Sequence, residues 1–480
     1  MAWNRRYSLI SHARSSLWSV PIFSVMAALV LKRLAVPIGK WMVTHYGYEG
    51  GHGFLAVNAD EAHAILDRIF TLNLSCLVFS FGSLLVAIQV AGGQYTPRII
   101  ATTLLRNNVI RWIVGLFVFS LLWTHRTMTE LGQNPVVPQL QVLLGTAIGL
   151  AALVAFILQI DYAARLLRPV SLVQHVAERG FAVIENIYPY LFSEERIPPS
   201  SPSRVFGHMG GAPRSGKFGD ALSESGAGKR KALAERSVYH RGKSGIVLAI
   251  NLPGLVREAQ RAGCFIELAV QVGDFLATDE PLFHLFGKSE LVSDHRLQQF
   301  VALGSERTME QDPMFAFRIE VDIALKALSA AINDPTTAVL AIDQLHRLLR
   351  LVGKRSLANR AVYDDRGEPR VLFYTPDWED YVHISFREIR LSGAGNLQIE
   401  RRLRAMIENL IATLPEQRHA ALNCELCLLD RTIELKHMFA EDLALARIGD
   451  TQGLGGSSRV SQRSHGTVVE GESGSRERTQ

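Results

Sequence analysis

At 480 residues the chain exceeds one ordinary domain, and its length suggests about three units. Its 20% charged residues and a mean hydropathy just above zero exclude both a typical soluble enzyme and a chain lying wholly in lipid, so membrane-embedded and aqueous parts must be separate. The net charge of +5 sits beside apolar runs and in Gly/Ser-rich stretches rather than on one helix face, so membrane-flanking charge explains it and no nucleic-acid partner is expected.

Arg5, Arg6 and Arg14 precede an apolar run with no small-residue cleavage site after it, which reads as an uncleaved anchor and first span at about 17–38. Further apolar stretches at about 70–90, 109–124 and 139–160 approach the roughly 20 residues that cross a bilayer. Residues 1–168 are therefore expected to form an α-helical membrane domain with four transmembrane helices. Arg98, Arg106 and Arg111 after the second span, with Arg165 and Arg168 after the fourth, favour placing those loops and both termini of a multi-pass protein in the cytoplasm. Lys32, Arg33 and Lys40 fall on the other side and weaken that bias. The loop over 39–64 carries His45, Glu49, His52, Asp60, Glu61 and His63 at spacings that follow no ligand pattern, so no metal is expected there.

The second span is the most informative. Asn73, Cys76, Ser80, Ser83 and Ala87 share one face of a 3.6-residue helix, continuing to Gln94. A stripe of this kind packs helices or lines a water-filled path, and small-residue seams favour packing without closing the question of a pore. No acid or base lies in the middle of spans two to four, which disfavours proton-coupled transport.

Residues 169–197 read as a membrane-proximal helix and linker, and 198–237, rich in Gly, Ser and Pro with Lys229, Arg230 and Lys231, as a flexible basic linker. From 238 to 290 the pattern changes to short strands at 245–250, 265–270 and 281–286 with a helix at 253–261, a small β barrel-like unit. The turn over 270–276 resembles that of biotinyl and lipoyl barrel-sandwich domains. Their modified-lysine motif is missing, so the resemblance implies architecture alone and no cofactor is expected.

A helical domain at 291–449 completes a cytosolic α+β region, and 450–480 is expected to be disordered. Asp312-Pro313 and Asp334-Pro335 each read as a helix start, with the carboxylate as cap and the proline in the first turn. Arg318, Asp322 and Lys326 form an i,i+4 ladder. Two such N-termini also suggest a polar pocket for an anionic group, although capped helices whose charges satisfy one another explain the same residues. If a ligand is held there, Arg307, Glu310, Arg318, Asn333 and Asp334 are its expected contacts. Downstream, Thr375-Pro376 opens a helix with Trp378, Val382, Phe386 and Ile389 on one face, stopped by Gly393 and Gly395. Helices follow at about 397–414 and 415–448, the last with a Leu422, Leu426, Leu429, Ile433 stripe that serves as core or as a homo-oligomer seam. The four cysteines are too few for a disulfide framework. Cys424 and Cys427 form a C-x-x-C with no second pair and no histidine doublet, which speaks against zinc and for two small apolar helix residues.

The order of parts then resembles a known family. Four N-terminal spans, Gln94-Tyr95-Thr96-Pro97-Arg98, Val272-Gly273-Asp274-Phe275, Glu306-Arg307-Thr308 with Glu310-Gln311-Asp312-Pro313, and Ala331-Ile332-Asn333-Asp334-Pro335 are similar to the bacterial membrane proteins grouped as domain of unknown function 2254. The chain departs from that pattern at Ser329-Ala330-Ala331, where a serine-proline-glycine lead is usual. The resemblance implies an architecture and no mechanism. Two functions fit: a membrane-anchored binding or regulatory protein holding an unknown small ligand or protein partner, or a channel or transporter with a pore beside the second span gated by the cytosolic domain. Glu306, Glu310 and Asp312 could bind a divalent cation, but no nucleophile, base and orienter stand at a recognisable spacing, so no catalytic residues are assigned.

Overall fold

The computed structural model describes residues 3–7, 18–46, 58–94, 108–132, 137, 139–166, 168–192, 235–357 and 360–454. They gather into two compact units, one drawn from Met1–Arg179, Pro198–Phe315 and Asn359–Tyr374, the other from Gly180–Ile197, Ala316–Ala358 and Thr375–Gln480. Tyr95 to Arg98, residues 47–57 of the expected 39–64 loop, nearly all of the expected linker and the tail beyond Leu454 lie outside the described residues, while both ends of that expected loop are helical.

The first unit opens with four long helices, α1 (Ser19–Tyr46), α2 (Ala59–Gln94), α3 (Asn108–Leu131) and α4 (Gln139–Leu166). Within them Ala59–Val90, Asn108–Leu131 and Gln139–Ala163 are long and apolar enough to cross a membrane. The helices overrun the apolar runs because nothing between 59 and 69 breaks a helix, and its hydrogen bonds do not require apolar side chains. α3 lies against each of the other three, burying Ile110, Val114, Phe117 and Trp123. Lipid offers no hydrophobic drive between helices, so association depends on close fit. Gly115 meets α1 where an added Cβ would stand 2.7 Å from Ser24 Oγ, and Gly149 of α4 meets Ile69 of α2 more tightly still.

After α5 (Pro169–Ile187) the chain enters a mixed α/β region. A five-stranded sheet runs in the order β1 (Arg236–Tyr239), β5 (Pro281–Gly287), β3 (Cys264–Leu268), β8 (Pro369–Phe373), β7 (Arg360–Tyr363). A three-stranded sheet places β2 (Gly245–Ile250) between β4 (Phe275–Leu276) and β6 (Val301–Gly304). Between β2 and β3, α6 (Leu252–Ala262) is capped by Asn251, whose side chain accepts from Gly254 N, and stopped by Gly263 at φ +68°. Val247, Leu255, Ile266, Phe283, Leu285 and Val371 share one core. The strands at 245–250, 265–270 and 281–286 were legible as apolar runs. Strands β7 and β8 come from beyond residue 358, because β3 pairs in parallel with β8 about a hundred residues later, through Ile266–Val371 and Glu267–Leu372. In the β7–β8 hairpin buried Asp364 accepts from the amides of Arg366 and Glu368 and from Arg370 Nε at 2.7 Å.

A short α7 (Asp294–Gln298) leads to β6, after which α8 (Pro313–Ala327) and α9 (Pro335–Gly353) carry the chain into the second unit. There α10 (Trp378–Ser392), α11 (Leu397–Thr413), α12 (His419–Lys436) and α13 (Ala440–Ala446) pack with α9. Asp377 and Asp380 form a reciprocal capping box at the start of α10. α11 buries Glu400, Arg401, Arg402 and Arg404, with Arg402 on Asp343 and His437 on Glu400 at 2.6 Å. Leu422, Leu429 and Ile433 of the expected stripe are core residues.

Gly149→Val forces a branched side chain into Ile69 and is expected to destabilise the solubilised protein by about 1–3 kcal/mol, seen as a lower thermal midpoint. Gly82→Ala, where nothing lies within 4 Å of the added Cβ, should leave the midpoint unchanged.

Candidate functional site at the Asp312 corner

The turn after β3 and the approach to α8 fold onto each other. Asp274 closes the turn by accepting from Gln271 N at 2.8 Å, and Gly273 N donates to Val247 O of β2 at 2.8 Å. Gly273 has φ +97°, and an added Cβ would stand 2.6 Å from Asp312 Oδ2 and nearer still to Arg307 Nη2, so only glycine fits. Arg307 donates to the Gly273 carbonyl from Nε at 3.0 Å and from Nη2 at 2.7 Å. Its Nε lies 3.5 Å from Asp312 Oδ2. Asp312 Oδ1 caps α8 by accepting from Phe315 N at 3.1 Å. Gln311 accepts from Ile250 N at 3.0 Å, and Glu310 from the Tyr7 hydroxyl.

Burial pushes Asp312 up to about 6, against the pull of Arg307 and of the Phe315 and Met314 amides, with Asp274 adding to the rise. Desolvation prevails because Arg307 gives its short bonds to the Gly273 carbonyl, while Asp312 Oδ2 has no hydrogen-bond partner among the described residues. The corner therefore holds a buried carboxyl whose charge changes just below neutral pH.

The expected contacts are divided between the two units. Arg307 and Glu310 belong to the first unit, whereas Arg318, Asn333 and Asp334 belong to the second. Asp312 caps α8, and Asp334 caps α9. Arg318 donates to Asp322 at 2.7 Å and also grips Glu388 of α10, whose carboxyl these hydrogen bonds hold below its ordinary range. Asn333 adopts φ +47°, a conformation asparagine tolerates, and turns the chain into α9. Asp334 Oδ1 then accepts from Thr337 N at 3.1 Å. One acid escaped the sequence reading: Glu320 of α8 is fully buried, neither oxygen has a hydrogen-bond partner among the described residues, and desolvation raises it well above the usual carboxylate range. Its position off the Arg318–Asp322 face, between Ile319 and Val321, was the available signal.

In the helical bundle, Asn73 and Ser80 are buried, Asn73 donating to Ser120 Oγ of α3 at 2.9 Å and Ser80 accepting from Gln159 of α4. Ser83 is exposed and donates to its own helix at Ser80 O, while Leu84 takes its place on the packed stripe Asn73, Cys76, Ser80, Leu84, Ala87. The Gln94 side chain lies outside the described residues. Lys32, read from the sequence only as loop-flanking charge, is buried: its Nζ donates to Thr127 at 2.8 Å and to Gln141, pairs with Glu130 at 3.2 Å, and lies 5.2 Å from the Trp123 ring centre. Among the described residues no group of three or more His, Cys, Asp or Glu could hold a metal.

Long apolar helices followed by a mixed α/β and helical region define a multi-pass membrane protein. The chain belongs to the family described as "Predicted membrane protein (DUF2254)", which matches residues 14–409. It is similar to uncharacterized proteins of Mycobacterium bovis and Mycobacterium tuberculosis, each 22% identical over 480 residues, covering 96% of this chain and 82% of the relative. No solved structure matches the chain at a significant level.

Because folded Asp312 titrates at about 6 rather than at its ordinary 3.8, the folded state holds the extra proton between those values. Its stabilising contribution is full below about 3.8 and lost as pH rises through 6, a change of about 3 kcal/mol. Asp312→Asn should remove that part of the decline in denaturant-unfolding curves taken between pH 4 and 7. For the bundle, Lys32→Met removes the buried ammonium that Thr127 and Gln141 accept from, and should lower the thermal midpoint of the solubilised protein by an amount worth about 1–3 kcal/mol.

Proposed function

We propose that the protein is a four-span anchor in the bacterial inner membrane whose cytosolic region binds a small ligand or protein partner and acts as a regulatory module. The carrying observation is a contact between the N-terminus and the soluble region: Asn4 N donates to Gln299 O at 3.1 Å, and Tyr7 donates to Glu310. That contact supports both lying on one side of the bilayer, hence an even number of crossings with α1 as the fourth span. α1 fits that role, since Ile22, Phe23, Met26, Leu29, Val30 and Leu34 face outward in the manner of lipid-facing side chains. Arg165 and Arg168 favour the cytoplasm for that side.

In this reading the spans attach and the soluble region recognises. The polar atoms of α2 support it, being bonded across helix seams to Ser120 and Gln159. The core shared by the two sheets supports reading the α/β region as a barrel-like unit, and the Asp312 corner, with Arg307 and Glu310, is the first place to seek a ligand. Homo-oligomers and contact with lipid are part of the proposal, and no catalytic or nucleic-acid role is. The runner-up is a channel or transporter beside α2. It draws on Asn73 Oδ1 and Gln159 Oε1, buried acceptors without a hydrogen-bond partner among the described residues.

Cysteine-accessibility mapping in intact spheroplasts should find positions 4 and 454 shielded and position 52 labelled; labelling at position 4 sinks the four-span reading. Proteoliposomes should pass potassium, chloride and small solutes no faster than empty vesicles. Protein-dependent flux that Asn73→Leu abolishes would establish the channel instead.

A further inference from the structure

The C-x-x-C pair does not lie where small apolar residues belong. Cys424 and Cys427 are both exposed on α12, while Cys76 and Cys264 are buried. Spaced three residues apart on an 18-residue helix, the two side chains stand on one face with Cβ atoms about 5–6 Å apart. That is too far for an internal disulfide, which wants Cβ atoms about 3.5–4.5 Å apart, without bending the helix. It suits two thiolates converging on one ion through bonds of about 2.3 Å. Within one chain the set stops at two, as no group of three or more metal-ligating side chains exists among the described residues.

The same face continues along the helix. Ala420, Cys424, Cys427, Arg431 and Leu435 follow one another at intervals of three and four residues, all exposed, with Leu435 at 85%. This is the spacing of a helix–helix seam with no partner helix among the described residues. Arg431 makes no ion pair among the described residues and lies one turn beyond Cys427.

We propose that Cys424 and Cys427 form half of a soft-metal site, completed by the same two thiols of a second copy of this chain packed α12 against α12 about a twofold axis. A twofold contact is self-complementary, so two thiols per chain become a closed tetrahedral set of four, the structural zinc arrangement. Four thiolates around a divalent ion leave two negative charges, and one Arg431 from each copy balances them. Binding releases the thiol protons to solvent and requires no oxidant. The second cysteine pair that the sequence lacks is supplied by symmetry.

The test uses the full chain in detergent with reductant, loaded with zinc or cadmium and freed of excess. The expected result is one metal per two chains, a cadmium–thiolate charge-transfer band, protection of both exposed thiols from alkylation, and a dimer that dissociates on chelation. Cys424→Ser and Cys427→Ser should each lose metal and dimer together while keeping the wild-type thermal midpoint of the metal-free protein, because both positions are on the surface. One metal per chain in a monomer, unprotected thiols in the presence of zinc, or a dimer indifferent to chelator and to both substitutions would each overturn the proposal.

Discussion

A polar group taken out of water costs several kcal/mol unless something inside replaces the lost hydrogen bonds, and that constraint shapes both halves of this protein. In the bundle it decides which side chains face which helix. Lys32 enters the interior because Thr127, Glu130 and Gln141 take its three protons, and Asn73 and Ser80 turn inward toward Ser120 and Gln159. In the aqueous half the same rule fixes turns and helix ends: Asp364 closes a hairpin, Asp334 and Asn396 cap helices, and Arg401 donates to the Ile448 carbonyl.

Two carboxyls meet the rule incompletely. Asp312 has one oxygen on a backbone amide and the other beside an arginine already committed elsewhere, so its burial shows as a raised pKa near neutrality. Glu320 has no hydrogen-bond partner among the described residues, and desolvation pushes its carboxyl well above the usual range. The Asp312 corner also explains why two separated sequence motifs belong together. The Val272-Gly273-Asp274 turn and the Glu306 to Pro313 segment are two sides of one contact, and the glycine is required by its backbone angle and by the guanidinium packed against it.

The bundle and the mixed α/β region are held together internally by different means. Lipid removes the hydrophobic drive between helices, so fit at Gly115 and Gly149 and a few interhelical hydrogen bonds hold α1 to α4, with large apolar side chains turned outward. In water that drive returns, and the α/β region is held by a core in which Val247, Ile266 and Phe283 are fully buried.

The sequence by itself determined the apolar runs, the membrane class, the strands at 245–250 and 281–286 and the caps at Asp312 and Asp334, since each depends on neighbours within a few residues. Only the tertiary structure decided the rest. The pairing of β3 with β8, the meeting of Gly273 with Arg307, the burial of Lys32 and the exposure of Cys424 and Cys427 all depend on residues far apart in the chain. Helical periodicity tells which side chains share a face. It does not tell what, if anything, that face meets, and so the Ser80 side of α2 and the Cys424 side of α12 looked alike until one was found packed and the other bare.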